Sequence, residues 1–167
     1  MQNLLRFHGA HAKRIHEIDP KALVTVGAWS EFTLTNNETF GGFNFYKDEC
    51  MRLASGDEDD DNVRSVRAWS SSVVFNTQTH NTQTQVLLDF YQVHTYANDL
   101  NSRFSTTSPM TMSRDEYQIS DKPYVIGEFS ATKCESTGCT IESLYKHALS
   151  SKYDGAWDWS MYQRDVR

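Results

Sequence analysis

Short apolar segments alternate with helical segments along most of this chain, and this alternation constrains the fold more than any other feature. In chain order the segments cover residues 2–18 (helix), 23–27 (strand), 44–54 (helix), 87–94 (strand), 114–117 (short helix), 123–129 (strand), 140–151 (helix) and 155–159 (strand). Strands that alternate with helices predict a parallel sheet covered by helices. We therefore predict an α/β fold with parallel strands, equivalent to half of a (β/α)₈ barrel.

The chain has 167 residues, which is enough for one domain with a sizeable core. A complete (β/α)₈ barrel typically needs ~250 residues. We therefore expect residues 1–167 to form a single partial barrel domain that begins inside a helix. The acidic run at 55–61 and the polar run at 76–85 lack apolar periodicity, so residues 55–86 are predicted to be a polar insertion or a poorly ordered segment.

Charge and composition exclude several classes of function. A net charge of −6 argues against a nucleic-acid partner, which would require a basic patch. No apolar run reaches the ~18 residues of a membrane span, and the N-terminus lacks the apolar core of a signal peptide. The six histidines are scattered, and none pairs with a second ligand at metal spacing. We expect no metal, no cofactor and no membrane partner.

Polar or aromatic residues stand at the ends of all four predicted strands. They are Trp29, His94 with Tyr96, Glu128, and Trp159. The carboxyl ends of parallel strands form the ligand-binding edge of α/β folds, so these side chains are expected to converge. A single Glu after an apolar strand is ordinarily a solvent-facing loop residue. Combined with several rings, however, a carboxylate suits sugars, because rings pack on sugar C–H groups and the carboxylate attacks the anomeric carbon.

Trp157 and Trp159 permit two interpretations. They are two residues apart on a strand, so both side chains face the same side of the sheet. Either indole could pack into the core, or it could line the ligand site.

Four segments in this order resemble the last four strands of the mannanase-like barrels of glycoside hydrolase family 5 type. They are DPKALVTVGAWSE (19–31), LDFYQVHTY (88–96), KPYVIGEFS (122–130) and YDGAWDWS (153–160). The resemblance implies that the strands are about the fifth to eighth of a TIM barrel. It also implies an extracellular enzyme that hydrolyses a β-1,4-linked polysaccharide or oligosaccharide with retention, mannan being the first candidate.

The resemblance also assigns roles to individual residues. Glu128 matches the catalytic nucleophile at the end of strand seven. His94 and Tyr96 match the H-x-Y pair that orients the nucleophile and contacts the sugar. The sugar-binding residues implied in this way are Trp159, with Trp157 as the second choice, and Trp29.

One departure from the family pattern affects activity. The family's general acid/base is a Glu in an Asn-Glu pair at the end of strand four, which here would precede Met1. Asn37-Glu38 lies in a loop after strand five and is rejected as a substitute. A retaining hydrolase needs two carboxyl groups ~5–5.5 Å apart. We therefore expect an inactive fragment of a glycosidase; the alternative is a non-catalytic carbohydrate-binding or vestigial protein.

Two further expectations concern cysteines and assembly. Cys134 and Cys139 form either a local disulfide of a secreted protein or two free thiols. An open half-barrel exposes strand edges and apolar helix faces, so self-association through the barrel edges is expected.

Overall fold

A computed structural model describes residues 2–40, 42–55, 86–98, 101–130 and 138–159. The insertion predicted at 55–86 lies almost entirely outside these residues. The chain divides into two compact units. One comprises Met1–Ala22 and Lys47–Leu87, and the other comprises Leu23–Tyr46 and Leu88–Arg167.

The first unit is built on two helices, α1 (Gln2–Ile18) and α2 (Asp48–Ser55). They pack closely, because a Cβ added at Gly9 would lie 3.3 Å from the carbonyl oxygen of Met51. The helix predicted at 2–18 is confirmed, whereas the next one begins at Asp48 rather than at residue 44. The side chain of Asn44 accepts a hydrogen bond from the Tyr46 amide (3.1 Å), a local turn that competes with helix.

The second unit contains a four-stranded sheet with the order β1-β2-β3-β4. The strands are β1 (Gly27–Ala28), β2 (Tyr91–His94), β3 (Tyr124–Phe129) and β4 (Gly155–Asp158). Every neighbouring pair is parallel, so the predicted parallel arrangement is confirmed.

The start of β1 was predicted wrongly. Residues 23–26 are not in a strand, and Leu23 is 77% exposed. The carboxylate of Asp89 accepts a hydrogen bond from the Val24 amide at 2.6 Å, while the Asp89 amide donates to the Val24 carbonyl at 2.9 Å. The Asp89 carboxylate thus takes the place of a backbone carbonyl as the acceptor for the Val24 amide, and the apolar run begins outside the sheet.

Helix α3 (Ile141–Ser150) packs against the sheet. Thr140 caps it: its hydroxyl accepts from the Ser143 amide, and the Ser143 hydroxyl accepts from the Thr140 amide. Phe129 of β3 meets Tyr145 of α3 edge-to-face, with ring centroids 5.3 Å apart. This face of β3 is therefore the helix-covered one.

Short 3₁₀ helices occupy Glu31–Thr33, Glu38–Phe40 and Arg114–Tyr117. Tyr117 is fully buried and contacts Tyr124, which in turn contacts Tyr153, with 5.6 Å between centroids in both pairs. These three rings, here called the tyrosine cluster, belong to the core of the second unit.

Cys139 is disulfide-bonded, so the free-thiol alternative is wrong for this residue. Cys134, its predicted partner, lies outside the described residues. Within the described ranges, no helix is both long and apolar enough to span a membrane.

Candidate active site

A register shift brings His94 of β2 opposite Glu128 of β3. Val93 pairs with Ile126, but His94 pairs with Glu128, so Gly127 is an extra residue on β3. The pairing of β3 with β4 is irregular over the same stretch, between Ile126 and Phe129. Such bulges redirect side chains and are common beside functional sites.

The carboxylate of Glu128 is held from one side. The Tyr96 hydroxyl donates a hydrogen bond to Oε2, and His94 Nδ1 lies 3.3 Å from the same oxygen. No other described residue binds this carboxylate, so Oε1 has no hydrogen-bond partner among them. The side chain of Glu128 is only 21% exposed and that of His94 10%. One oxygen is therefore fixed while the other remains available for chemistry.

Tyr96 is suited to act as the donor in this contact. Its burial raises its pKa above the ordinary value, and the hydrogen bond to Glu128 and the charge of that residue raise the pKa further. The phenol therefore keeps its proton at neutral pH.

Gln92 is a site residue that the sequence analysis missed. Its amide nitrogen Nε2 lies 2.9 Å from His94 Nε2, on the opposite side of the ring from Glu128. The available signal was the alternation of Gln92, His94 and Tyr96 along β2 and its extension, since residues two apart share a face of the sheet.

Trp29 lies against the same group. It follows β1 and is 77% exposed. Its ring centroid is 5.7 Å from that of His94 and 6.3 Å from that of Tyr96, with an interplanar angle of 28° to the tyrosine. The structure therefore brings Glu128, His94, Tyr96 and Trp29 together, as the positions at the strand ends predict.

Trp157 and Trp159 lie on β4 and directly after it. Their exposed fractions are 49% and 52%, so the interpretation as core residues is wrong for both. They flank Asp158, which pairs with Phe129 on the helix-covered face, so alternation directs both indoles toward the other face. The Trp159 amide donates to the Phe129 carbonyl at 2.7 Å. Within the described residues, neither indole makes a ring contact with Trp29, His94 or Tyr96.

The described part of the chain contains no group of three or more His, Cys, Asp or Glu side chains that could hold a metal ion. Parallel strands whose carboxyl ends present one carboxylate and several rings define an α/β class of site, in which the reacting groups stand on strand ends.

No protein-family model matches the chain. Over 159 residues it is 33% identical to the mannan endo-1,4-beta-mannosidase of Cryptopygus antarcticus and 32% identical to that of Mytilus edulis, in both cases over 95% of this chain. Its fold matches a beta-1,4-mannanase from the common sea hare Aplysia kurodai with a TM-score of 0.73 and 30% identity, over 98% of this chain and 37% of that one.

The resemblance and the fold class are thereby confirmed. The chain is similar to mannan endo-1,4-β-mannosidases, and its four-stranded parallel sheet matches part of the (β/α)₈ TIM barrel of such an enzyme. It spans about a third of the length of the curated relatives it matches.

Proposed function

We propose that this chain carries the nucleophile of a retaining endo-β-1,4-glycanase that hydrolyses the O-glycosidic bonds of a polysaccharide, mannan first. The observation that carries the proposal is the state of Glu128. One carboxylate oxygen is held by Tyr96 and faced by His94, while the other has no partner among the described residues. A nucleophile needs both a fixed orientation and a free oxygen.

In this reaction Oε1 of Glu128 bonds to the anomeric carbon as the bond from that carbon to the leaving oxygen breaks. The leaving oxygen takes a proton from a second carboxyl group, and water later releases the sugar from Glu128. The hydrogen bond from Tyr96 holds Oε2 throughout, so that Oε1 is presented in one orientation.

The sugar is proposed to rest on the rings around the carboxylate. Trp29 lies beside Tyr96 and His94. The exposed indoles of Trp157 and Trp159 lie at the end of β4, the strand next to the one that carries Glu128. Exposed rings at a ligand-binding edge offer apolar faces to sugar C–H groups. A polysaccharide substrate places the protein outside the cell, and the disulfide at Cys139 fits an oxidising compartment.

The second carboxyl group is proposed to come from outside this sequence. Glu128 is the one carboxylate that the described residues place at this site, and no Asn-Glu pair ends a described strand. We therefore expect the 167-residue chain to turn over mannan slowly or not at all. The same observation favours a second candidate, a carbohydrate-binding protein without catalysis.

A substrate whose leaving group needs no proton tests the nucleophile in the absence of the general acid. 2,4-Dinitrophenyl β-mannobioside releases an anion that needs no protonation. We expect a burst of dinitrophenolate stoichiometric with protein, and a mannobiosyl adduct on the peptide containing Glu128. The variant Glu128→Gln should show neither, whereas the control Glu142→Gln, an exposed helix residue, should behave as the wild type.

Two outcomes would decide against the proposal. A burst that survives Glu128→Gln would overturn the nucleophile assignment. Binding of mannohexaose without any burst or adduct would overturn the catalytic proposal in favour of the carbohydrate-binding candidate.

A further inference from the structure

Two glycines, one on each of the strands that flank β2, make room for the side chains of Gln92 and His94. A Cβ added at Gly127 of β3 would lie 2.0 Å from Gln92 Cγ, and one added at Gly27 of β1 would lie 2.6 Å from His94 Nε2. Real Cβ atoms do not approach other atoms so closely. The Gln92 amide and the His94 imidazole thus fill a space that exists only because both flanking residues lack side chains.

The contact between Gln92 and His94 decides where the imidazole proton lies. An amide nitrogen can only donate, so His94 Nε2, at 2.9 Å, must accept. In a neutral imidazole the proton then lies on Nδ1, the nitrogen that is 3.3 Å from Glu128 Oε2. The reversed amide would leave a lone pair on Nδ1 facing the carboxylate, and two acceptors at that distance repel.

Nδ1 itself is buried and makes no hydrogen bond to any described residue. Its contact with Glu128 is close, but outside hydrogen-bond geometry. Catalytic hydrogen bonds are often long or poorly aligned without substrate and tighten in the complex. A proton held on Nδ1 is therefore placed to bind the carboxylate once a sugar is present.

We propose that Gln92 is a positioning residue that holds His94 as the Nδ1–H tautomer, so that the ring presents its proton to Glu128, and that Gly27 and Gly127 provide the space this requires. The catalytic consequence rests on the proposed function; the tautomer itself does not.

The tautomer can be measured directly on the full chain. With ¹⁵N-labelled histidine, long-range ¹H–¹⁵N correlations distinguish protonated from unprotonated ring nitrogens, and the His94 signals are those lost in His94→Asn. Near neutral pH we expect His94 to have a protonated Nδ1 and an unprotonated Nε2. A neutral His94 with its proton on Nε2 would overturn the proposal, whatever the variants do.

Variants test whether Gln92 is the cause. Gln92→Met keeps the length of the side chain but cannot donate, so we expect His94 to lose its single-tautomer signature. In Gln92→Glu the carboxylate can only accept a hydrogen bond, so Nε2 of His94 should carry a proton in place of its lone pair. An unchanged Nδ1–H signature in Gln92→Met would show that Gln92 does not set the tautomer.

The glycines provide an independent variant in which Gln92 is intact. Gly127→Ala should displace the amide and give the same loss of signature as Gln92→Met. The control is Gly155→Ala on β4, where the added Cβ would lie 3.4 Å from Val125 Cγ1, an ordinary contact. The proposed role of Gly127 fails if its alanine variant folds with the wild-type tautomer.

Substrate measurements separate this inference from the proposed function. In Gln92→Met we expect the dinitrophenolate burst to slow about tenfold or more with mannohexaose affinity unchanged, comparable to losing a supporting partner of a metal-bound histidine. An Nδ1–H tautomer in a chain that gives no burst would leave the inference standing and refute the enzyme. A burst from a chain with the proton of His94 on Nε2 would support the proposed enzyme and refute the inference about the tautomer.

Discussion

The hydroxyl group of Tyr96 donates a hydrogen bond to Oε2 of Glu128. The two residues come from the ends of adjacent parallel strands, and the Thr95 amide between His94 and Tyr96 also donates to the Glu128 carbonyl at 2.8 Å. Backbone and side chain therefore fix the same pair of strand ends, so the phenol can be removed without releasing the strands.

Removing this hydroxyl should slow the chemistry and leave the fold intact. Tyr96→Phe keeps the ring that lies beside Trp29 but loses a hydrogen bond to a charged group, worth about 1.5–3 kcal/mol. We expect the burst to slow by about ten- to hundredfold. The control is Tyr145→Phe, because the hydroxyl that it removes accepts a hydrogen bond from the Asp158 amide on the helix-covered side of the sheet. Equal burst rates in the two variants would contradict the role of Tyr96.

Trp29 is expected to contribute to sugar binding and little to stability. Trp29→Ala should weaken the binding of mannohexaose by about tenfold, because a truncated aromatic anchor typically costs more than about 1 kcal/mol. Leu23→Ala is a matched control, since Leu23 and Trp29 are both 77% exposed in the same unit. Titration calorimetry measures both affinities, and equal values would remove Trp29 from the sugar site.

The tyrosine cluster provides a matched pair of stability variants. The buried Tyr124 hydroxyl has no hydrogen-bond partner among the described residues, whereas the Tyr153 hydroxyl donates to the Met112 carbonyl at 3.0 Å. Tyr124→Phe should therefore leave the free energy of unfolding unchanged or raise it. Tyr153→Phe should lower it by about 1 kcal/mol. Urea unfolding measures both, and the reverse order would contradict this account.

Stability should decline at alkaline pH because of the same cluster. Burial raises the pKa of Tyr117, Tyr124 and Tyr153 above that of a tyrosine in the unfolded chain. The folded state then retains protons that the unfolded state releases. The stability that these three groups contribute is therefore fully present below about pH 10 and is lost as the pH rises further. Urea midpoints between about pH 8 and about pH 11 test this.

The variant Tyr124→Phe should flatten that alkaline decline, because it removes one of the three raised groups. Tyr145→Phe, which alters a partly exposed phenol on α3, should leave the slope as in the wild type. An identical slope in both variants would show that the decline comes from other groups.

Local patterns were enough to predict several elements of the fold. The helix at 2–18 was predicted with its observed bounds, and the spacing of apolar residues predicted α3 to within a residue at each end. The start of β1 could not be predicted in this way, because it depends on the carboxylate of Asp89, which is distant in sequence from Val24.

The same division applies to the site. Glu128, His94 and Tyr96 were predicted, because position at a strand end and the resemblance to a known family are both visible in the sequence. Gln92 was missed, although alternation placed it on the same face. Its importance depends on how closely Gly27 and Gly127 approach it, which is set by the register of three strands and not by any local pattern.

The extra residue in β3 has a consequence for how this site tolerates changes in chain length. Strand side chains alternate, so shifting a register by a single residue transfers every later side chain to the opposite face. In β3 the bulge confines the extra residue to one position, because Ile126 pairs with Val93 and Glu128 pairs with His94, its direct successor on β2. Deleting Gly127 would therefore let β3 pair evenly with both neighbours and would leave the carboxylate facing His94, opposite the face on which Phe129 packs against α3. The orientation of the acid thus does not depend on whether this one residue is present.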